Sequence, residues 1–87
     1  MSEAKTTSNH AEIRKWVEAR NGRPSRVKGA KQGGVLRIDF GEPEEALEEI
    51  SWDDFFRIFD ASKLAFLHQD KMADGQVSRF NKFIDKG

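Results

Sequence analysis

The segment Ile50-Ser-Trp-Asp-Asp-Phe-Phe-Arg-Ile-Phe59 constrains the fold more than any other part of the chain. Ser51 can accept hydrogen bonds from the free N–H groups of a first helical turn, and Asp54 stands at the reciprocal position of a capping box. Asp53 and Asp54 put negative charge at the positive end of the helix dipole. Ile50 and Phe55 have the spacing of a hydrophobic staple across the cap. Trp52, Phe55, Phe56 and Phe59 then share one stripe of the helix, and so large an apolar surface must be covered by other parts of the chain. The stripe reads as core rather than as a ligand box.

Length makes that stripe decisive. A domain of 87 residues buries only about 60–65% of its unfolded surface, so a few large side chains carry its stability. Here these are seven Phe and two Trp, with no Tyr.

A second helix is signalled near the start. Asn9 can cap it, Glu12 follows three residues on, and Ile13, Trp16, Val17 and Arg20 keep i, i+3, i+4, i+7 spacing. Asn21-Gly22 and Pro24 end it, which predicts a helix over 9–21 with Gly22 as its left-handed terminator. Ser25 to Lys28 reads as a short strand with Val27 inward, and Gly29 to Gly34 as a turn-rich connection. Val35 to Phe40 alternates, with Leu36, Ile38 and Phe40 on one face and Val35, Arg37 and Asp39 on the other. The two strands form a hairpin that Gly41-Glu42-Pro43 stops.

Beyond the hairpin, Glu44 to Ile50 reads as an extended approach segment or short strand. Leu64 to Gln69 is a strand apolar on both faces, so interior to a sheet. Asp70 to Gly75 is a polar turn. Val77 to Ile84 places Phe80, Phe83 and Ile84 on one helical face, with a strand as the alternative. The expected architecture is α+β: a small, mainly antiparallel sheet of three to four strands with two amphipathic helices on one face. Residues 1–8 are expected as a flexible N-terminal tail and 9–87 as one domain. Trp16, Val17, Leu36, Ile38, Phe40, Trp52, Phe55, Phe59, Phe66 and Leu67 form the expected core.

Several chemistries drop out. The chain has no cysteine, hence no disulfide, thiolate nucleophile or Cys-type zinc site, which fits a cytoplasmic setting. No apolar run approaches the ~18 residues that span a bilayer, and MSEAKTTSNH has no signal-peptide core, so no membrane partner is expected. Gly29, Gly33 and Gly34 lack the Gly-Lys-Ser/Thr ending of a phosphate loop and precede a strand rather than a helix. His10 and His68 stand apart from each other and from paired carboxylates, so no metal or other cofactor is expected. His10 reads as a surface residue and His68 as a half-buried structural histidine. Asp53 and Asp54 are helix-capping neighbours, not a catalytic pair. No catalytic constellation emerges, and the chain reads as non-enzymatic.

Charge is balanced overall but divided along the chain. Residues 1–37 hold nine Lys/Arg against three Asp/Glu, and residues 38–62 hold one against nine. Complementary surfaces of one folded domain explain such blocks most simply. Arg20, Arg23, Arg26, Lys28, Lys31 and Arg37 cluster across a helix end and the hairpin, and they form the candidate binding surface. A nucleic-acid backbone is one class of partner for such cations. The adjoining acidic segment and the lack of interleaved stacking aromatics favour a solvated face. A protein partner is the preferred class, docking on outward-facing Val35, the acidic 42–49 segment and a sheet edge.

Taken in order, the blocks His10-Ala-Glu-Ile-Arg-Lys-Trp-Val-Glu-Ala-Arg20, Gly22-Arg-Pro-Ser-Arg-Val-Lys-Gly29, Leu36-Arg-Ile-Asp-Phe40, Leu47-Glu-Glu-Ile-Ser-Trp-Asp-Asp-Phe-Phe56, Leu64-Ala-Phe-Leu67 and Ser78-Arg-Phe-Asn-Lys82 resemble a group of short bacterial proteins. Some of these carry the label 1,4-alpha-glucan branching enzyme. The likeness covers about residues 9–84 and implies a glucan-related role. Glycosidic chemistry itself requires a nucleophile and an acid across a cleft, on a barrel of at least ~200 residues. A chain of this length leaves glucan binding as what the resemblance implies, and no family site residue carries over.

Overall fold

The computed structural model describes residues 4–29 and 35–86. Two helices and six strands follow in the order β1 (Ala4–Thr7), α1 (His10–Glu18), β2 (Gly22–Val27), β3 (Leu36–Phe40), β4 (Leu47–Glu49), α2 (Trp52–Ala61), β5 (Leu64–Gln69) and β6 (Asn81–Asp85). The strands form two antiparallel three-stranded sheets, ordered β1-β5-β6 and β3-β2-β4. The α+β class is as expected; the single sheet is not.

Two segments account for the second sheet. Ala4–Thr7, expected within a tail, pairs with β5 through Ala4↔Gln69 to Thr7↔Phe66. Asn81–Asp85, for which the sequence leaves a helical face and a strand both open, is an edge strand paired with Leu64–His68. Phe83 alone of that segment turns to the aromatic core, packing on Phe55, Phe59 and Phe66. A period-two pattern with one inward aromatic is sufficient for an edge strand, whereas a helix would need a wider apolar stripe.

Both helix starts form as their sequences dictate. The Asn9 side chain accepts the Glu12 N–H at 2.9 Å, and Ser51 Oγ accepts the Asp54 N–H at 3.0 Å. The end of α1 differs. Asn21 takes the left-handed position at φ 57°, and Gly22 already belongs to β2. Gly22 is there for space. A Cβ on it would lie 2.8 Å from Ile38 Cγ2, 2.9 Å from Val17 Cγ1 and 3.0 Å from Phe40 Cε1.

Gly22→Ala should therefore destabilise the fold. Overpacking costs about 1–3 kcal/mol, and reduced unfolded-state entropy returns about 0.4–1 kcal/mol. A net loss of about 1–2 kcal/mol in urea unfolding is expected; an unchanged midpoint would show that α1 and β3 separate freely.

Pro24 lies inside β2, the central strand of its sheet, where proline ordinarily breaks a ladder. Its carbonyl accepts the Ile50 N–H at 3.0 Å. In an extended strand the N and O of one residue point the same way, so the missing donor faces the end of β4 and the β2–β3 ladder runs on.

The core gathers Ile13, Trp16, Val17, Val35, Leu36, Ile38, Phe55, Phe59 and Phe66. Phe40 and Trp52 pack against it half-buried. Leu67, expected inside, is half-buried because register places it with Thr6 and Lys82 on the other face of its sheet from Phe66. Val35, expected on an outer face, is buried: it precedes the first residue of β3 and escapes the strand's alternation. Among the described residues no helix is long and apolar enough to cross a membrane.

Candidate functional site

A cleft of about 510 Å³ opens between β1 and α1. Its lining comprises Lys5, Thr6 and Thr7 of β1, one face of α1 running into Ala19 and Arg20, and His68 and Asp70 at the end of β5. Glu12, Lys15 and Trp16 of α1, with Ala19 and Arg20 just past its end, follow i, i+3, i+4, i+7, i+8 spacing. Lys5 and His68 are register partners and share one face of the sheet.

Arg20 fixes the far end of this cleft. Its Nε donates to the Ser78 carbonyl at 2.6 Å, Nη1 to that of Trp16 at 3.0 Å and Nη2 to that of Asp70 at 2.9 Å. The guanidinium carbon also sits 4.1 Å from the centroid of the Trp16 ring. Burial lowers the guanidinium pKa and the Asp70 carboxylate works against it, but an arginine stays charged. Trp16 in turn donates its indole N–H to the Gln69 carbonyl at 3.3 Å.

His68 forms part of the wall. Its side chain is 13% exposed, its ring stacks on Phe66 at 5.6 Å, and Nδ1 lies 3.6 Å from Asp70 Oδ1. Burial lowers its pKa; Asp70 opposes this and Arg20 adds to it, which favours the neutral imidazole. Glu12 accepts the Thr7 hydroxyl at 2.7 Å, tying the start of α1 to the end of β1. The half-buried position expected for His68 is the one observed. His10 is exposed, as expected, with its ring stacked on Phe56 at 4.0 Å and Nε2 2.9 Å from Asp60 Oδ1.

Four of the six cations of the expected binding surface have partners within the protein. Arg20 belongs to the cleft. Arg23 pairs with Asp39 at 3.3 Å and Arg26 with Glu48 at 3.2 Å, each directly across a strand pair. Arg37 donates to the Leu36 carbonyl at 2.7 Å. Lys28 is exposed, and Lys31 lies outside the described residues. Basic and acidic blocks are thus partly complementary surfaces of one domain. Burial of Val35 removes it from any docking face.

Sequence reasoning missed the cleft because one of its walls, Lys5 to Thr7, lies in the segment taken for a tail. The signal present was Thr6-Thr7, a β-branched pair just before the Asn9 cap. Among the described residues no group of His, Asp and Glu could hold a metal ion. No family model matches the chain, and neither a curated protein nor a solved structure matches it.

Proposed function

We propose that this protein is a small non-enzymatic binding module whose ligand site is the cleft between β1 and α1. One observation carries the reading. Of the charged side chains lining the cleft, Lys5 and Lys15 have no ion-pair or hydrogen-bond partner among the described residues, whereas Glu12 and Arg20 are hydrogen-bonded within the protein. The volume falls in the range of sites that enclose small ligands or short segments. The Arg20 and Trp16 bonds hold the walls in place beforehand, which lowers the ordering cost of binding.

The test is an amide-shift survey of the full chain against a mixed panel: short peptides of either charge, nucleotides and oligonucleotides, carboxylates, and maltooligosaccharides. Perturbations should gather on Lys5–Thr7, Glu12–Arg20 and His68–Asp70 for at least one class. If every active compound instead shifted Lys28 and Arg37, with affinity falling steeply in salt, the site would be the hairpin and nucleic acid the ligand.

A further inference from the structure

The cleft lies over the face of the β1–β5 pair that turns toward α1. Lys5 and His68 share that face, and the Trp16 ring of α1 packs 5.4 Å from Phe66 and 5.6 Å from His68. A ligand there is held between a sheet face and a helix, with charges of both signs around it. Lys5 and Lys15 bring ammonium groups from opposite walls, and neither has a partner among the described residues. Glu12 closes one end, engaged by the Thr7 hydroxyl. Asp70 stands at the other end, beside Arg20.

The Asp70 carboxylate is the uncommitted negative charge. Its Oδ1 lies 3.6 Å from His68 Nδ1, too far for a hydrogen bond, and the side chain is 59% exposed. The neutral imidazole that burial favours supplies no countercharge. Arg20 bonds the Asp70 carbonyl rather than its carboxylate, and directs its other donors to Trp16 and Ser78.

An anion alone would meet two carboxylates in this cleft, and a cation alone would meet two lysines and Arg20. A ligand bearing one charge of each sign leaves neither pole unmatched. Register sets the separation. Asp70 lies two positions beyond His68, the partner of Lys5, which is roughly 7 Å at ~3.3 Å per residue. An extended dipeptide spans about the same length. We propose that the cleft binds a zwitterionic dipeptide with both termini free, its carboxylate between Lys5 and Lys15 and its ammonium on Asp70. A volume of about 510 Å³ leaves room for side chains, so selection falls on the termini rather than on sequence. The assignment rests on the cleft being the ligand site and adds the class of ligand and its orientation.

The probe is Ala-Ala, titrated into the full chain by amide shifts at low ionic strength, where exposed charges are least screened. N-acetyl-Ala-Ala, Ala-Ala amide, alanine and succinate accompany it. Ala-Ala should shift Lys5–Thr7, Lys15–Arg20 and His68–Asp70 saturably. Blocking either terminus should weaken binding at least about tenfold, because each block removes a charge-assisted contact. Alanine, whose two charges lie too close together to reach both poles, should bind at least about fivefold more weakly. Two variants assign the poles. Lys5→Gln with Lys15→Gln should make Ala-Ala and its amide bind equally, and Asp70→Asn should do so for Ala-Ala and its N-acetyl form. All three residues are exposed, and Asp70 holds Arg20 and Ser78 through its carbonyl, so both variants should keep the native unfolding midpoint.

Equal binding of Ala-Ala and either blocked form to the native chain would overturn the proposal, as would alanine binding as tightly as Ala-Ala. Succinate binding more tightly than Ala-Ala would do the same and leave the cleft as a site for small anions. Silence of the cleft toward these compounds would also overturn it. Silence toward the wider panel as well would remove the binding-module reading with it.

Discussion

Arg20→Ala should destabilise the protein by about 3 kcal/mol, from two part-buried charge-assisted hydrogen bonds at about 1.5–3 kcal/mol each and a cation–π contact of about 1 kcal/mol, less about 2 kcal/mol of entropy regained by a freed side chain; the exposed bond to Asp70 adds little. The reason lies in what the guanidinium joins. The Arg20 N–H bonds to the Val17 carbonyl instead of that of Trp16, so the last turn of α1 leaves Trp16 O without its usual donor. Arg20's own side chain supplies one. The same group reaches the carbonyls of Asp70 and Ser78, and so anchors both ends of the excursion between β5 and β6.

Ser78 is buried and completes the anchor. Its N–H donates to Asp70 O at 3.1 Å, its hydroxyl donates to Gln69 Oε1 at 2.9 Å, and it accepts the Phe80 N–H at 3.0 Å. In Arg20→Ala, exchange at the Ser78 and Phe80 amides should therefore quicken before exchange in α2 does. Arg20→Lys should recover little, because an ammonium cannot reach three carbonyls in a planar fork. A loss under 1 kcal/mol in denaturant unfolding, with Ser78 exchange unchanged, would show that the excursion is held by its backbone alone.

How far this molecule could be read in advance depends on where each signal resides. Helix starts were legible because a cap is local: Asn9 with Glu12 and Ser51 with Asp54 act within one turn. The alternation of Leu36, Ile38 and Phe40 was equally local. Edge strands were not. β1 and β6 owe their conformation to pairing with Leu64–Gln69, more than 55 residues from β1 in sequence, and neither has a periodicity that outweighs that distant partner. The same holds for Gly22, whose need for glycine comes from Ile38 and Phe40 across the strand pair.

The candidate site was illegible for a related reason. A cluster of cations along the sequence suggested a surface, but register decides which cations remain available. Pairing Arg23 with Asp39 and Arg26 with Glu48 joins the basic block to the acidic one. Lys5 and Lys15, far less conspicuous in the sequence, are the ones left facing the cleft.

Asp39→Ala tests that pairing where it is least hydrated. The Asp39 side chain is 9% exposed and the Arg23 side chain 25% exposed. Asp39 also accepts the Glu44 N–H at 3.1 Å, which fixes the turn leading from β3 toward β4. Replacing Asp39 by Ala would strand a largely buried guanidinium and leave that N–H without its acceptor. Breaking one partner of a buried pair costs about 3–5 kcal/mol; solvent reaches Arg23, so a loss of about 2–3 kcal/mol is expected. Arg23→Ala should cost about as much, for it leaves the carboxylate buried instead. Once either partner is gone, removing the second should cost little, and a double-mutant cycle should return a coupling energy above about 1 kcal/mol. That non-additivity separates an ion pair from two independent packing losses. If the two single losses simply add, the charges of β2 and β3 do not sense each other, and Arg23 becomes available to an anionic partner after all.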